Sequence, residues 1–469
     1  MNRLARRFVT VAAAAMVASP ALVLPATEAG ASVPAISANA FGMHFLQHGS
    51  YPPLTFASAR IWNNGVTWAA LQPKAPTYTP AVPATLVSPG TPASSTTGFD
   101  AKAVAKLDSL VRMFVNRHAD PMITLGMTPA WAANTSGCNY GSYGVQTCLP
   151  KNTYTDSNGH AFGDPWRNYV SFLSTRYDGH HSDAKGTLPK VTYFELWNEP
   201  NYRNGMNGSW STAIPKLASM QAGAYSLLHA RGQRMISPGI PFTVGGGYTF
   251  LNSFLKASGG KKYDILGLHL YPSDATATGG YGPEWVMNTV LPKVRTILSN
   301  NKVAGRPIWD TETNVGRVAA HNAVKGSVTG AAYVARTFIL ATQNKIARTF
   351  WYAADDHAWG GVWLENTNYT RSYAGTGYQA VRARLVGKAA LGCSRVTVGT
   401  HKWKYTCKFG TTTGHKTLLA IWTTGASYTL KAPAGTKHWY NWKGTYRSAY
   451  AGKKFTITHT PIYLAGSFK

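Results

Sequence analysis

Two glutamates each close a short apolar run in a chain that holds few acidic residues. Glu199 lies in Phe-Glu-Leu-Trp-Asn-Glu-Pro-Asn (194–201), and Glu312 lies in Pro-Ile-Trp-Asp-Thr-Glu-Thr (307–313). Only 18 of the 469 residues are Asp or Glu. Glutamates placed in apolar strands of so acid-poor a chain are therefore poor candidates for solubilising charges. A carboxyl pair at two strand ends can supply a proton donor together with a nucleophile or base, which is what cleavage of a glycosidic bond requires.

Strand-like and helix-like patterns alternate between about residue 40 and residue 385, and these elements must position the two carboxyls. Apolar residues recur at helical spacing over 104–114, 166–173 and 285–297. Asp100 is placed to cap the first of these helices. The pattern contains eight predicted strands: 41–45, 57–62, 122–126, 191–197, 234–238, 265–271, 307–312 and 349–353. Eight strand–helix repeats predict a (β/α)8 TIM barrel, whose chemistry lies at the C-terminal ends of the strands.

The residue pattern of the sequence changes at about residue 388. Short alternating runs separated by Gly, Thr and Pro predict a small antiparallel β-sandwich. This segment contains no Asp or Glu, so it offers no carboxylate chemistry of its own. We therefore predict a catalytic barrel over 32–387 and an accessory β-sandwich domain over 388–469. Two long connections, 73–97 and 132–164, follow strands and are expected to stand over the barrel mouth.

The first 31 residues have the pattern of a secretory signal peptide. Arg3, Arg6 and Arg7 precede an apolar stretch over 8–24, and Ala-Gly-Ala at 29–31 forms a cleavage site. No second long apolar segment follows, so no membrane span is predicted in the mature form. The sequence thus predicts a secreted, extracellular protein.

The four cysteines form two close pairs, Cys138 with Cys148 and Cys393 with Cys407. In an exported chain such pairs favour local disulfides. Metal binding is the alternative, although no Cys-x-x-Cys motif or histidine cluster accompanies them.

The chain is strongly basic, with 46 Lys and Arg and a formal net charge of +28. Such a charge favours anionic partners, including an anionic or cell-wall polymer, but a solvated cationic surface explains it equally well. The basic residues are scattered and no nucleic-acid motif is present, so a nucleic-acid partner is not predicted.

These motifs, in this order, resemble the clan A glycoside hydrolases, and family 39 most of all. The resemblance covers nearly the whole predicted barrel and rests on the following residues: Arg60-Ile61-Trp62, Trp68, Thr128-Pro129-Ala130-Trp131, Glu195 to Asn201, His269-Leu270-Tyr271, Glu312 and Trp351. It implies Glu199 as the general acid/base and Glu312 as the nucleophile of a retaining mechanism without a cofactor.

The resemblance also implies substrate-binding roles. Asn198 is expected to bind the substrate 2-hydroxyl, and Arg60 to keep Glu312 ionised. An interior ion pair of Arg60 with Glu195 is the alternative, and the two arrangements are compatible with each other. His269 and Tyr271 are expected to orient Glu312 or touch the sugar; a buried structural histidine is the alternative.

Aromatic residues supply the remaining expectations for the site. Trp351 is expected to form an apolar floor under the sugar, and Trp131 is a weaker candidate for the same kind of contact. Asp355, Asp356 and His357 follow the eighth strand, but they lack supporting ligands and no metal site is predicted.

The sequence therefore predicts a secreted retaining glycosidase that cleaves a polysaccharide or oligosaccharide. Two alternatives stay open. One is a carbohydrate-binding or adhesive protein that keeps the scaffold without turnover, and the other is a transglycosylase that uses the same two glutamates.

Overall fold

A computed structural model describes residues 32–45, 53–77, 98–138, 143–202, 210–242, 246–272, 282–315, 327–357 and 361–469. The predicted signal peptide and most of the connection 73–97 lie outside the described residues. Among the residues described, no helix has both the length and the apolar character needed to cross a bilayer.

The first part of the chain forms a closed parallel barrel, which confirms the predicted fold class. The strands of this part are β1 Phe41–His44, β2 Ser58–Ile61, β3 Asp120–Leu125, β4 Ser182–Asp183, β5 Gly186–Thr187, β6 Tyr193–Leu196, β7 Arg234–Ile236, β8 Ile240–Pro241, β9 Leu266–His269, β10 Ile308–Thr313 and β11 Ile346–Trp351. β4 and β5 form a separate small hairpin. The others form the barrel, and we call the eight strand positions of the barrel its staves. The sheet order is β7-β6-β3-β2-β1-β11-β10-β9-β8.

The fifth stave of the barrel is broken into two halves. β7 pairs with β6, whereas β8 pairs with β9. A parallel bridge between Ile236 and Ile265 joins the first half to the sixth stave as well. β7 and β8 together therefore close an eight-stave ring, and residues 237–239 interrupt it.

Helices cover the outside of the barrel. Asp100 accepts a hydrogen bond from the Ala103 N–H at 2.8 Å, as its predicted capping position requires. Pro165 lies in the first turn of its helix, where its missing N–H costs nothing. The main helices are Trp68–Leu71, Ala101–Asn116, Pro165–Arg176, Trp210–His229, Gly247–Ala257, Pro283–Trp285 with its π-helical continuation Val286–Val290, Leu291–Asn300, Val328–Gln343 and Tyr373–Leu385.

The lower part of the barrel interior is filled by an apolar cluster of its own. Its buried members come from five different staves: Met122, Ile236, Ile265, Trp309 and Phe350. Because this cluster closes the bottom of the ring, polar side chains higher in the interior face the C-terminal mouth.

The C-terminal part forms two antiparallel sheets around a small core, as predicted. The strands are β12 Ala389–Gly399, β13 Lys402–Gly410, β14 Lys416–Thr423, β15 Tyr428–Lys431, β16 Thr436–Tyr440, β17 Tyr446–Ser448, β18 Lys454–Ile457 and β19 Ile462–Phe468. Six of them form the sheet β12-β13-β14-β19-β16-β17, and β15 pairs with β18. The core includes Leu419, Ile421, Phe455, Ile457 and Leu464.

The barrel and the sandwich share buried side chains. Trp422 of β14 donates its indole N–H to Glu284 Oε1 at 2.8 Å, and both residues are buried. Arg336 lies 3.3 Å from the same carboxylate oxygen. The last barrel helix ends at Leu385 and β12 begins at Ala389, next to the predicted boundary at 388.

Both cysteine pairs form disulfides. Cys138 is bonded to Cys148, and Cys393 is bonded to Cys407 across β12 and β13. The disulfide prediction is confirmed, and the metal-binding alternative for these cysteines is wrong.

Candidate active site

Glu199 lies just beyond the fourth stave, on a backbone that leaves the strand abruptly. Trp197 and Glu199 both have positive φ angles, 60° and 45°, which few non-glycine residues adopt. The Glu199 N–H donates to the Gly239 carbonyl at 3.0 Å, inside the break of the fifth stave. Gly126 (φ 128°) makes room for this turn, because a Cβ there would lie 2.8 Å from the Trp197 ring. The two neighbouring staves thus hold the Glu199 backbone.

A β-bulge turns Glu312 towards the barrel interior. Trp309 points inward with the floor cluster, so strict alternation would send Glu312 outward. The register of β10 shifts between Asp310 and Glu312 against β9, and between Asp310 and Thr313 against β11. A bulge of this kind re-aims the side chain that follows it. Glu312 reaches the mouth for this reason, with 6% of its surface exposed.

Arg60, buried near the end of β2, connects the strands that carry Glu195 and Glu312. Its NH1 donates to Glu312 Oε2 at 2.5 Å. Its Nε and NH2 donate to Glu195 Oε2 at 3.0 and 2.8 Å, and NH2 also donates to Asn198 Oδ1 at 2.7 Å. Both predicted contacts of Arg60, with the nucleophile candidate and with Glu195, are present. Thr124 donates to the same Glu195 oxygen at 2.7 Å, which fixes this carboxylate below the site.

His269 is the last residue of β9, Tyr271 lies two residues beyond it, and both contact the glutamates. The Tyr271 hydroxyl donates to Glu312 Oε1 at 2.7 Å. His269 Nδ1 lies 2.9 Å from Glu199 Oε1 and 3.8 Å from Glu312 Oε1. One carboxylate oxygen of each glutamate and a ring nitrogen of His269 all lie within 4.8 Å of one another. Residues 43 to 113 positions apart in the sequence thus meet at one point of the barrel mouth.

The opposite edge of the His269 ring faces Gly239. His269 Nε2 and Glu195 Oε1 are buried without a hydrogen-bond partner among the described residues. A Cβ on Gly239 would lie 2.3 Å from His269 Nε2 and 3.0 Å from Glu195 Oε1. Position 239 is therefore restricted to glycine by the packing of two side chains of the site.

Burial and charge act in opposite directions on Glu312. Removal from water raises the pKa of its carboxyl above the ordinary value. The charges of His269 and Arg60 and the hydrogen bond from Tyr271 all lower this pKa, while the neighbouring Glu199 raises it. Glu199 is the more open of the two, with 19% of its side chain exposed.

The two tryptophans predicted to contact the sugar, Trp351 and Trp131, donate hydrogen bonds to backbone carbonyls and not to the glutamates. Trp351 is fully buried and donates its indole N–H to the Val362 carbonyl at 2.7 Å. A sugar could touch this ring only after neighbouring side chains moved, so its predicted function as a floor stays a prediction. Trp131 is half-buried, donates to the Gln72 carbonyl at 2.9 Å and packs against Tyr154. Its predicted contact with substrate also stays a prediction.

His44 is a residue of the mouth that sequence reasoning missed. It ends β1, is fully buried, and contacts the Trp62 carbonyl through Nε2 at 2.8 Å. Burial, together with the charge of Arg60, lowers its pKa well below the ordinary value, so its ring is neutral. The only sequence signal is a polar residue at a strand end, which also marks Glu199 and His269.

Glu199, His269 and Glu312 are also the one group among the described residues with the spacing of metal ligands. Arg60 already supplies a positive charge to Glu312 at 2.5 Å and would repel a cation there. The arrangement is instead suited to proton transfer and nucleophilic attack by a carboxylate.

Comparison with known proteins gives the same picture. Residues 172–371 match the family model described as glycosyl hydrolase catalytic core. No curated protein sequence matches the chain.

Solved structures share the fold over nearly the whole chain. A family 39 glycoside hydrolase from Bacteroides cellulosilyticus WH2 is similar at 19% identity and a TM-score of 0.60, covering 92% of this chain and 83% of that one. A glucosidase from Croceicoccus marinus gives 14% identity and a TM-score of 0.59, covering 94% and 98%. A family 51 α-L-arabinofuranosidase from Bifidobacterium longum gives 10% and 0.56, covering 93% and 97%. The chain therefore combines a matched glycosyl hydrolase catalytic core with the barrel fold of these solved glycosidases.

Proposed function

We propose that this glycosidase is a retaining enzyme that uses Glu199 and Glu312 as its two catalytic carboxyls. The supporting observation is that oxygens of the two side chains lie within 4.8 Å of each other. Retaining enzymes hold their carboxyls about 5–5.5 Å apart, whereas inverting enzymes leave about 6.5–9.5 Å for a water molecule.

In the first step, Glu312 attacks the anomeric carbon. Its carboxylate oxygen forms the new bond as the bond to the leaving oxygen breaks, and the leaving oxygen takes the proton of Glu199. Arg60 and Tyr271 favour the ionised form of Glu312 through contacts of 2.5 and 2.7 Å. These contacts oppose the effect of burial, which favours the protonated form.

In the second step, water attacks the glycosyl–Glu312 ester. Glu199, now ionised, takes a proton from the water as the ester bond breaks and Glu312 leaves as a carboxylate. In the intermediate Glu312 is an uncharged ester, so no second carboxylate charge stands beside Glu199 at this point. His269, 2.9 Å from Glu199, orients this carboxyl through both steps.

Asn198 is the proposed ligand of the substrate 2-hydroxyl. Arg60 donates to its side-chain oxygen at 2.7 Å, so the orientation of the amide is fixed and its NH2 group is available to the sugar. A hydrogen bond to the 2-hydroxyl strengthens in the transition state and so contributes to rate rather than to binding alone.

We also propose that the enzyme is secreted and acts on a polysaccharide or oligosaccharide that is anionic or belongs to a cell wall. The signal-like pattern over 1–31 and the two disulfides support export to an oxidising compartment. The formal charge of +28 supports an anionic or cell-wall polymer as the substrate.

Two variants test the assignment of the carboxyls. Glu312→Ala should abolish turnover of aryl glycosides, and added azide should restore part of it as the glycosyl azide of opposite anomeric configuration. Glu199→Ala should retain more activity on substrates with good leaving groups than on those with poor ones, because only the latter need the proton.

Glu312→Gln and Glu199→Gln serve as matched controls, since they remove the charge but keep the side-chain volume. NMR of the first product formed from an aryl glycoside should show the anomeric configuration of the substrate. Inverted product, or full activity in both alanine variants, would contradict the proposal.

A further inference from the structure

The last quarter of the chain has an unbalanced positive charge. Glu365 is the final acidic residue, and sixteen Lys and Arg follow it without a single Asp or Glu. Among the ion pairs between described residues, the last cation in sequence order is Arg348. The charges beyond residue 365 therefore have no carboxylate from their own segment to neutralise them, and they attract an anionic partner.

Aromatic side chains line one edge of this basic region. We call Tyr373, Tyr440, Trp442 and Tyr446 the aromatic strip. Tyr373 and Trp442 lie with ring centroids 5.7 Å apart, and Tyr440 and Tyr446 lie 5.9 Å apart across β16 and β17. Tyr373 is 52% exposed and Tyr446 is 59% exposed, so each pair presents ring surface to solvent.

Two cations flank the strip. The Arg384 guanidinium lies 3.9 Å from the Tyr440 ring centroid, and Lys443 Nζ lies 5.3 Å from that of Trp442. Rings with adjacent cations can bind the apolar face of a sugar and the acidic group beside it at once.

The strip follows the last barrel helix, Tyr373–Leu385. A TIM-barrel helix begins at the end of the barrel where the strands finish, so Tyr373 lies on the catalytic side. Tyr440 contacts Arg384 at the other end of the same helix. The helix from 373 to 385 is roughly 18 Å long. A strip of this length can contact several sugar units of an extended polymer rather than a single sugar.

We propose that the aromatic strip binds a segment of an acidic polysaccharide outside the catalytic cleft. The segment belongs to the same polysaccharide molecule that the barrel cleaves. This inference rests on the proposed function, because the choice of a sugar polymer over other polyanions follows from the glycosidase site next to it. The rings supply stacking surfaces, and the unpaired cations select polymers that carry carboxylate or sulfate groups.

The test uses the full-length protein and three soluble polymers: polygalacturonate, a neutral galactan and single-stranded poly(dT). Affinity electrophoresis measures binding in a Glu312→Gln background, so that no cleavage disturbs it. Trp442→Ala/Tyr446→Ala should weaken binding to polygalacturonate about tenfold. Tyr450→Ala is the matched control, because Tyr450 is an exposed tyrosine of the same domain that lies outside the strip.

Charge is tested separately with Lys443→Gln, whose side chain is exposed, so the variant is expected to fold. It should weaken binding to polygalacturonate, whereas Lys431→Gln on β15 should not. The strip variants should leave kcat/KM for a small aryl glycoside unchanged when Glu312 is intact.

Unchanged affinity for polygalacturonate in both Trp442→Ala/Tyr446→Ala and Lys443→Gln would overturn the inference. Equal losses in Lys443→Gln and Lys431→Gln would also overturn it, since they indicate charge without a site. Binding to poly(dT) as tight as to polygalacturonate would overturn the choice of a sugar polymer and would favour a nucleic acid as the partner. Binding to galactan as tight as to polygalacturonate would overturn the requirement for acidic groups. Retained strip binding in a chain that cleaves no glycoside would refute the proposed function alone.

Discussion

Tyr271→Phe should move the acid limb of the pH–rate profile to higher pH. The Tyr271 hydroxyl donates to Glu312 Oε1 at 2.7 Å and so favours the ionised carboxylate, against the effect of burial. A hydrogen bond to a charged group contributes about 1.5–3 kcal/mol. One pKa unit corresponds to about 1.36 kcal/mol. We take the low end, since the half-buried Tyr271 leaves room for water, and expect the pKa of Glu312 to rise by about one unit.

The measurement is kcat/KM against pH, because this ratio reports the ionisation of groups in the free enzyme. An aryl glycoside with a good leaving group makes the rate depend on Glu312 rather than on proton donation by Glu199. If the pKa of Glu312 rises, less of it is ionised at any given acidic pH. The half-maximal point of the acid limb should therefore move up by about one pH unit.

Tyr154→Phe is the matched control, because Tyr154 is a half-buried tyrosine that packs on Trp131 and contacts neither glutamate. Its acid limb should coincide with that of the parent protein. Thermal melts of both variants separate a shift in ionisation from a loss of folded enzyme. A limb that stays in place, or moves to lower pH, in Tyr271→Phe would refute the assignment of Glu312 as the group that must be ionised.

Three further predictions concern stability. Burial raises the pKa of Glu365 from 4.5 to about 7, so the unfolded state ionises first and the folded state loses stability as pH rises between these values. Glu365→Gln should thus leave the free energy of unfolding unchanged below pH 4 and raise it by up to about 3 kcal/mol at pH 8, where the melting temperature should rise with it. Equal melting curves at pH 8 would refute the shift. Trp422→Phe removes a 2.8 Å hydrogen bond to the buried Glu284 and should cost about 1–3 kcal/mol in urea unfolding, whereas an unchanged midpoint would show that the bond contributes little. Cys393→Ala/Cys407→Ala should cost about 2–4 kcal/mol yet leave kcat/KM of the folded enzyme unchanged, and an altered substrate preference would contradict this.

The barrel could be predicted from the sequence because each stave is a short buried run with clear ends. All eight predicted runs overlap a strand, although the ends differ by a few residues. The run 265–271 overran the strand Leu266–His269, and the run 349–353 missed the start of Ile346–Trp351. The same runs marked Glu199, Glu312 and His269, because polar residues at the ends of parallel strands meet at one mouth.

Departures from regular strand geometry could not be predicted. The bulge that turns Glu312 inward and the break around Gly239 depend on pairing with neighbouring staves, which no local pattern records. The full burial of Trp351 and its hydrogen bond to the Val362 carbonyl likewise involve residues outside its own strand. His44 carried no spacing signal at all, since a lone histidine in an apolar run is compatible with many structures.

The packing around Gly239 has a consequence for experiments that infer chemistry from loss of activity. Any side chain there would collide with His269 and Glu195, although residue 239 itself breaks and forms no bond. A saturation mutagenesis screen should find this position as intolerant as the two glutamates. Only rescue data, such as recovery with an external nucleophile, would separate a residue that reacts from one that merely leaves space.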